Sequence, residues 1–135
     1  MARHCRAIFS FSVLSLSSVV NLSFPNAPAQ AQEPDEGARA FQKCYSCHSV
    51  DRAEENLPGP NLAGVVGRRA ASLAGFDYSP AMKKAGADGL VWSENALDRY
   101  LADPLEVLQG TTMSFPGVRD AAERRAVIDY LRRFR

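Results

Sequence analysis

The sequence predicts an all-α fold in which several short helices and long loops wrap round one covalent cofactor. Three observations predict it. Four short segments after the first thirty or so residues carry helix-type patterning or caps, and no run of strands alternates with them. Residues 49 to 75 read as loop, with Pro58-Gly59-Pro60-Asn61, Gly64, Gly67 and Gly75 as breakers. Loops this long are odd for a self-sufficient core. Residues 44 to 48 supply the reason for them. They read Cys-Tyr-Ser-Cys-His, the attachment pattern of a c-type haem, and a haem gives loops a surface to pack on.

The chain has 135 residues and a formal charge of +1. Its beginning reads as a secretory leader. Arg3 and Arg6 give a positive start, Ala7 to Phe24 is apolar and Ser-rich, and Ala29-Gln30-Ala31 offers small residues at the spacing signal peptidase reads. The expected division is a signal peptide over 1–31 and one domain over 32–135. An uncleaved anchor is the alternative, but the stretch is short for a span and rich in serine. Two of the 16 basic residues and none of the 15 acidic ones lie in the leader, so the mature charge falls to −1. A near-neutral chain gives no electrostatic case for nucleic acid.

The first helix of the domain is expected from about Asp35 to Cys44, with Gly37 and Phe41 on one face. The pentapeptide follows. One helical turn presents Cys44 and Cys47 to one porphyrin edge, and His48 is placed to ligate the iron. Only these two Cys and this one His remain after the leader. A structural zinc site needs four ligands, which three adjacent residues do not complete without a carboxylate. A plain disulfide remains possible, but leaves His48 unexplained. After the long loop, Ser79-Pro80 opens a short helix ending near Gly86. Ser93 caps a helix over Glu94 to Ala102, which Asp103-Pro104 stops. Asp120 with Glu123 resembles a capping box, and Val127, Tyr130, Leu131 and Phe134 form the apolar stripe of the last helix.

A second axial ligand is sought among the two methionines of the domain. Met113 lies in the extended loop Gly110-Thr-Thr-Met-Ser-Phe-Pro-Gly117, which can fold over a haem face. Met82 lies in a short helix and reads as flexible core filler. His48 and Met113 are therefore the expected metal ligands. A thioether favours ferrous iron and raises the reduction potential, and two protein ligands leave no open site for substrate. Pro104 to Gly117 contains no Lys or His. A displaced Met113 would be replaced by hydroxide or by a remote group such as Lys83 or Lys84.

The ordered segments Cys44-Tyr-Ser-Cys-His48, Gly59-Pro-Asn-Leu-Ala-Gly-Val-Val-Gly-Arg68, Gly75-Phe-Asp-Tyr-Ser79, Trp92, Tyr100-Leu-Ala-Asp-Pro104, Gly110-Thr-Thr-Met113 and Tyr130-Leu131 resemble class I cytochrome c. The likeness is greatest to the mitochondrial type and the bacterial cytochromes c2, and it spans essentially the whole domain. It implies the cytochrome c fold with crossing terminal helices and one covalent haem c. By the same resemblance the Pro60 carbonyl accepts the free N–H of His48. Arg68, Tyr78 and Trp92 hydrogen-bond around the propionates, Tyr100 lines the Met side, and Phe115 covers the haem edge. Gly37 and Phe41 pack against Tyr130 and Leu131. Without the resemblance, Tyr78, Trp92 and Tyr100 read as ordinary aromatic core and Arg68 as a solvated charge. Three departures stand out. Met82 falls where the family has a polar residue, the stretch from Tyr78 to Trp92 is longer, and Leu57, Leu105-Glu106 and Thr112 replace lysines, leaving Lys43.

The expected function is a soluble, exported mono-haem electron carrier, periplasmic in a bacterium, and not an enzyme. Its partners are an electron donor and an electron acceptor protein. It is expected to be a monomer, with no stable membrane insertion once the leader is cleaved. The alternatives are a haem enzyme or small-ligand sensor with a labile Met113, or a dedicated cytochrome subunit of an oxidoreductase complex.

Overall fold

A computed structural model describes residues 35–135; the expected leader lies outside the described residues. Five helices follow in order: α1 (Glu36–Phe41), α2 (Pro80–Ala87), α3 (Glu94–Ala102), α4 (Pro104–Val107) and α5 (Ala121–Leu131). The all-α architecture is as expected. The only β pairing among the described residues is one antiparallel bridge, Arg69 to Val91.

Asp35 caps α1 by accepting the Gly37 N–H at 3.0 Å. The helix ends at Phe41, short of the expected Cys44. There its hydrogen bonds tighten from i−4 to i−3: Gln42 bonds to Arg39, Cys44 to Phe41 and Cys47 to Cys44. The pentapeptide is thus a run of tight turns.

Ser79 accepts the Met82 N–H at 3.2 Å, and Pro80 takes the first turn of α2. Ser93 does the same for α3 through Ala96 at 3.2 Å. Both match expectation. Asp103 does more than stop α3. Its carboxylate accepts the Glu106 N–H at 3.0 Å and, with Pro104 in the first turn, starts α4.

Asp120 accepts the Glu123 N–H at 2.9 Å. The reciprocal half of the capping box is replaced, because the Glu123 carboxylate reaches Lys43 at 2.6 Å instead. The α5 stripe is broader than expected. It includes buried Ile128, while Phe134 lies beyond the helix and stacks edge-on to Tyr130 at 4.9 Å.

The core forms where α1 crosses α5. A Cβ at Gly37 would lie 2.8 Å from both the Ala126 carbonyl and the Tyr130 Cβ, so only glycine permits this approach. Phe41 is fully buried with its ring 5.2 Å from that of Tyr130. Truncating such a residue to Ala costs about 3–5 kcal/mol. Leu97 and Leu101 of α3 join Val127 and Leu131 in the same cluster. The long loop is tied to it by backbone bonds, Gly67 to Trp92 and Ala70 to Leu90, both 2.9 Å, and Gly64 to Phe134 at 2.6 Å.

Candidate haem site

Cys44 and Cys47 stand one turn apart, and the His48 N–H closes on the Cys44 carbonyl at 2.9 Å. No disulfide joins them. Cys44 is half-buried against the core and Cys47 is exposed. Burial pushes the Cys44 thiol up to about 11, against the opposing pull of Lys43.

His48 Nδ1 lies 2.8 Å from the Pro60 carbonyl. A carbonyl only accepts, so Nδ1 carries the proton and the lone pair is left on Nε2. Burial lowers the His48 pKa, outweighing the Pro60 bond. The ring is thereby held neutral, the form that binds metal. Gly59 provides the bed beneath it. A Cβ there would lie 2.6 Å from Nδ1 and 2.8 Å from Nε2. The Gly59 N–H bonds to the Cys47 carbonyl at 2.8 Å, fixing the bed to the pentapeptide.

Met113 is half-buried and packs against the core. Its N–H donates to Thr111 Oγ1 at 3.3 Å, and that hydroxyl lies 3.0 Å from the hydroxyl of Tyr100. Gly117 brings the loop back over the end of α3, where any Cβ would collide with the Ala102 carbonyl. Phe115 is half-buried and joins the site through its N–H, which donates to the Met113 carbonyl at 3.0 Å.

The remaining residues fall into two groups. Trp92 and Tyr100 are buried core aromatics with rings 4.9 Å apart. Arg68 is not the solvated charge of the plainer reading: it donates to the Asn61 carbonyl at 2.9 Å and the Ala63 carbonyl at 3.1 Å. Burial lowers its pKa, partly offset by nearby Tyr78, whose own phenol is raised by burial. Sequence reasoning missed two contributors. Gly59 was visible as a loop breaker and Thr111 as a neighbour of Met113, both within family-like segments, but neither with its role at the site.

These residues fit a haem c. A neutral imidazole with a free Nε2 lies on a bed that any side chain would fill, directly after two thiols. The half-buried apolar side chains packed on the core include Cys44, Leu62, Met82, Leu90, Leu108 and Met113. Among the described residues no group of three His, Cys, Asp or Glu side chains could hold a bare metal ion.

Residues 34–134 match the family model described as cytochrome c. The chain is similar to cytochrome c2 iso-2 of Magnetospirillum fulvum, 48% identical over 93 residues, which covers 69% of this chain and 93% of that one. It is 37% identical over 108 residues to cytochrome c2 of Blastochloris viridis, covering 80% of this chain and 83% of that one. Among solved structures, cytochrome c2 from Rhodospirillum centenum aligns with a TM-score of 0.71 at 35% identity, covering 76% of this chain and 98% of that one.

Proposed function

The chain belongs to the cytochrome c family and is an electron-transfer protein of the c2 type with one covalent haem c, and on that premise we propose how its own residues serve the transfer. Cys44 and Cys47 form the two thioethers. His48, through Nε2, and Met113, through its sulfur, would hold the iron. Arg68, Tyr78 and Trp92 serve the propionates, Tyr100 lines the Met side, and Phe115 covers the edge.

The bound group supplies reversible one-electron chemistry at iron, between the ferric and ferrous states. The chain sets its terms. Pro60 fixes the tautomer and orientation of His48. The Met113 thioether is a soft ligand that favours the ferrous state and raises the potential. Burial of the site favours the state of lower net charge and acts in the same direction. With His48 and Met113 both engaged, no position would stay open for substrate.

The observation that carries this reading is the 2.8 Å contact between His48 Nδ1 and Pro60 O, which supports Nε2 as the atom offered to a metal. The protein is a soluble, monomeric carrier exported to a bacterial periplasm, cleaved after Ala31, that docks transiently with a donor and an acceptor. No helix among the described residues is long and apolar enough to cross a membrane, which is compatible with that reading. The test is a near-infrared spectrum of the ferric holoprotein, where a sulfur-to-iron charge-transfer band reports Met ligation. Its absence, with ready carbon monoxide binding by the ferrous form, would favour the sensor reading. Mass spectrometry of the exported protein locates the cut, and sedimentation reads its oligomeric state.

A further inference from the structure

The methionine that the proposed function leaves unused is Met82. It stands on α2, a helix capped by Ser79 and closed by its own backbone bonds. Met82 and Gly86 are one helical turn apart. Gly86 is buried, and a Cβ on it would collide with the Ala70 carbonyl, so this face of α2 is pressed inward. Met82 packs against the same apolar cluster as Met113. The two segments also touch directly. A Cβ at Gly110, the first residue of the Met113 loop, would lie 3.3 Å from the Cβ of Ala81, the residue before Met82.

The other face of α2 points outward. Lys83 is paired with Asp77 and Lys84 with Asp88, each at 2.7 Å, and both lysines are more than half exposed. Sequence reasoning offered these lysines as substitutes for a displaced Met113. The fold turns them away and turns the thioether in.

The two methionines differ in what holds them. Residues 111–120 contain no helix or strand. Val118 ties their far end to Leu101 of α3 at 2.8 Å, but the backbone bonds near Met113 are local, Thr111 to Leu108 at 3.1 Å and Phe115 to Met113 at 3.0 Å. Segments with few such bonds open at low free-energy cost. A helix keeps its side chain in place when the neighbouring loop opens, and Met has three rotatable bonds with which to reach.

We propose that Met82 is a reserve ligand for the haem iron and takes the sixth position when the loop carrying Met113 opens. The inference rests on the reading of Met113 as the resting ligand. In the exchange one sulfur–iron bond breaks and one forms. No proton is taken up or released, and the net charge at the site is unchanged. The iron therefore keeps a His/thioether pair and its preference for the ferrous state, which a lysine or hydroxide substitute would not preserve.

The test compares ferric holoprotein spectra of wild type, Met113→Ala, Met82→Leu and the double variant. The expected result is a charge-transfer band in wild type and in both single variants, lost only in the double variant. Ferrous carbon monoxide binding should likewise be rapid only in the double variant. A band lost in Met113→Ala alone overturns the reserve role and leaves Met113 as the ligand. A band lost in Met82→Leu alone overturns both readings. A band surviving in the double variant overturns the assignment to Met82. If Met113→Ala yields no holoprotein, alkaline titration of wild type against Met82→Leu decides. Wild type should keep the band to higher pH, and equal loss overturns the proposal.

Discussion

The Tyr100 hydroxyl lies 3.0 Å from the hydroxyl of Thr111, and this is the one side-chain bond recorded between α3 and the loop that carries Met113 among the described residues. The same Thr111 oxygen accepts the Met113 N–H at 3.3 Å. A buried residue on a helix thus reaches the candidate ligand in two steps. Tyr100→Phe keeps the ring against Trp92 and removes the first step. A neutral hydrogen bond of this kind is worth about 1 kcal/mol, so loop opening should become about fivefold more frequent. Cyanide binding to the ferric protein in a Met82→Leu background, where no second thioether can take the vacated position, should accelerate by the same factor. An unchanged rate would show that the bond does not hold the loop.

Gly59 makes a second local prediction. A methyl there must displace the His48 ring, since its Cβ would fall 2.6 Å from Nδ1. Gly59→Ala should destabilise the holoprotein by about 1–3 kcal/mol, the usual cost of overpacking a fixed site. Thermal unfolding of the reduced protein measures it. Wild-type stability in the variant would mean that the ring has room the structure does not show.

Folding should depend on the haem. The long loop contributes half-buried rather than buried side chains over much of its length, for example Val50, Leu62 and Val66, which pack on the core from its edge. Ordering a residue's backbone costs about 1–2 kcal/mol, and the loop has little apolar burial of its own to offset it. The double variant Cys44→Ala with Cys47→Ala should be largely unfolded. A cooperative thermal transition by circular dichroism in the haem-free chain would refute this.

How much of this was legible from the sequence divides by range. Ser79, Ser93 and Asp120 were readable as caps because a cap's partner lies within three residues. The pentapeptide and Met113 were legible as candidates because each brings its own local context. What could not be read depends on distant partners. Glu123 had a plausible local role with Asp120, but Lys43, 80 positions away in sequence, takes its carboxylate. Asp103-Pro104 was read as an end because it breaks α3, and nothing local said that the chain would turn and restart as α4. Gly59 looked like one breaker among several until the His48 ring was seen resting on it.

The acid limb of stability should carry the signature of Asp35. Its hydrogen bond with Arg133 holds the carboxyl below its ordinary 3.8, against the opposing effect of burial. A carboxyl with a depressed folded pKa adds stability above its unfolded value, and that stability is lost as pH falls through the folded one. Asp35→Asn keeps a side chain able to cap α1 and removes the charge pair. Its melting temperature should fall below that of wild type at neutral pH, and the gap should close below pH 3.8. A gap that stays constant down to acid pH would assign the loss to the cap and not to the pair.

Docking with redox partners should depend little on salt. Steering over distance requires a concentrated patch of one sign. All three lysines of the chain are engaged in ion pairs, Lys43 with Glu123, Lys83 with Asp77 and Lys84 with Asp88. Lys43, the one lysine left near the expected haem edge, is therefore largely neutralised. Arg124 is turned inward onto Asp98 at 2.7 Å and onto the Val118 and Arg119 carbonyls, so it does not serve a basic face. Arg68 is half-buried against loop carbonyls and does not serve a basic face either. What α4 shows instead, three residues before the Met113 loop begins, is two exposed apolar side chains flanking Glu106: Leu105 is 56% exposed and Val107 47%. Apolar contact is indifferent to screening, whereas exposed charge pairs fade beyond a Debye length of about 8 Å at physiological salt. Association rates with the native acceptor, followed by stopped flow across an ionic-strength series, should change only modestly, and Leu105→Ser should slow association at every salt concentration. A steep fall with added salt, abolished by charge reversal at Arg69 and Arg125, would place the contact on an arginine face and remove Leu105 from it.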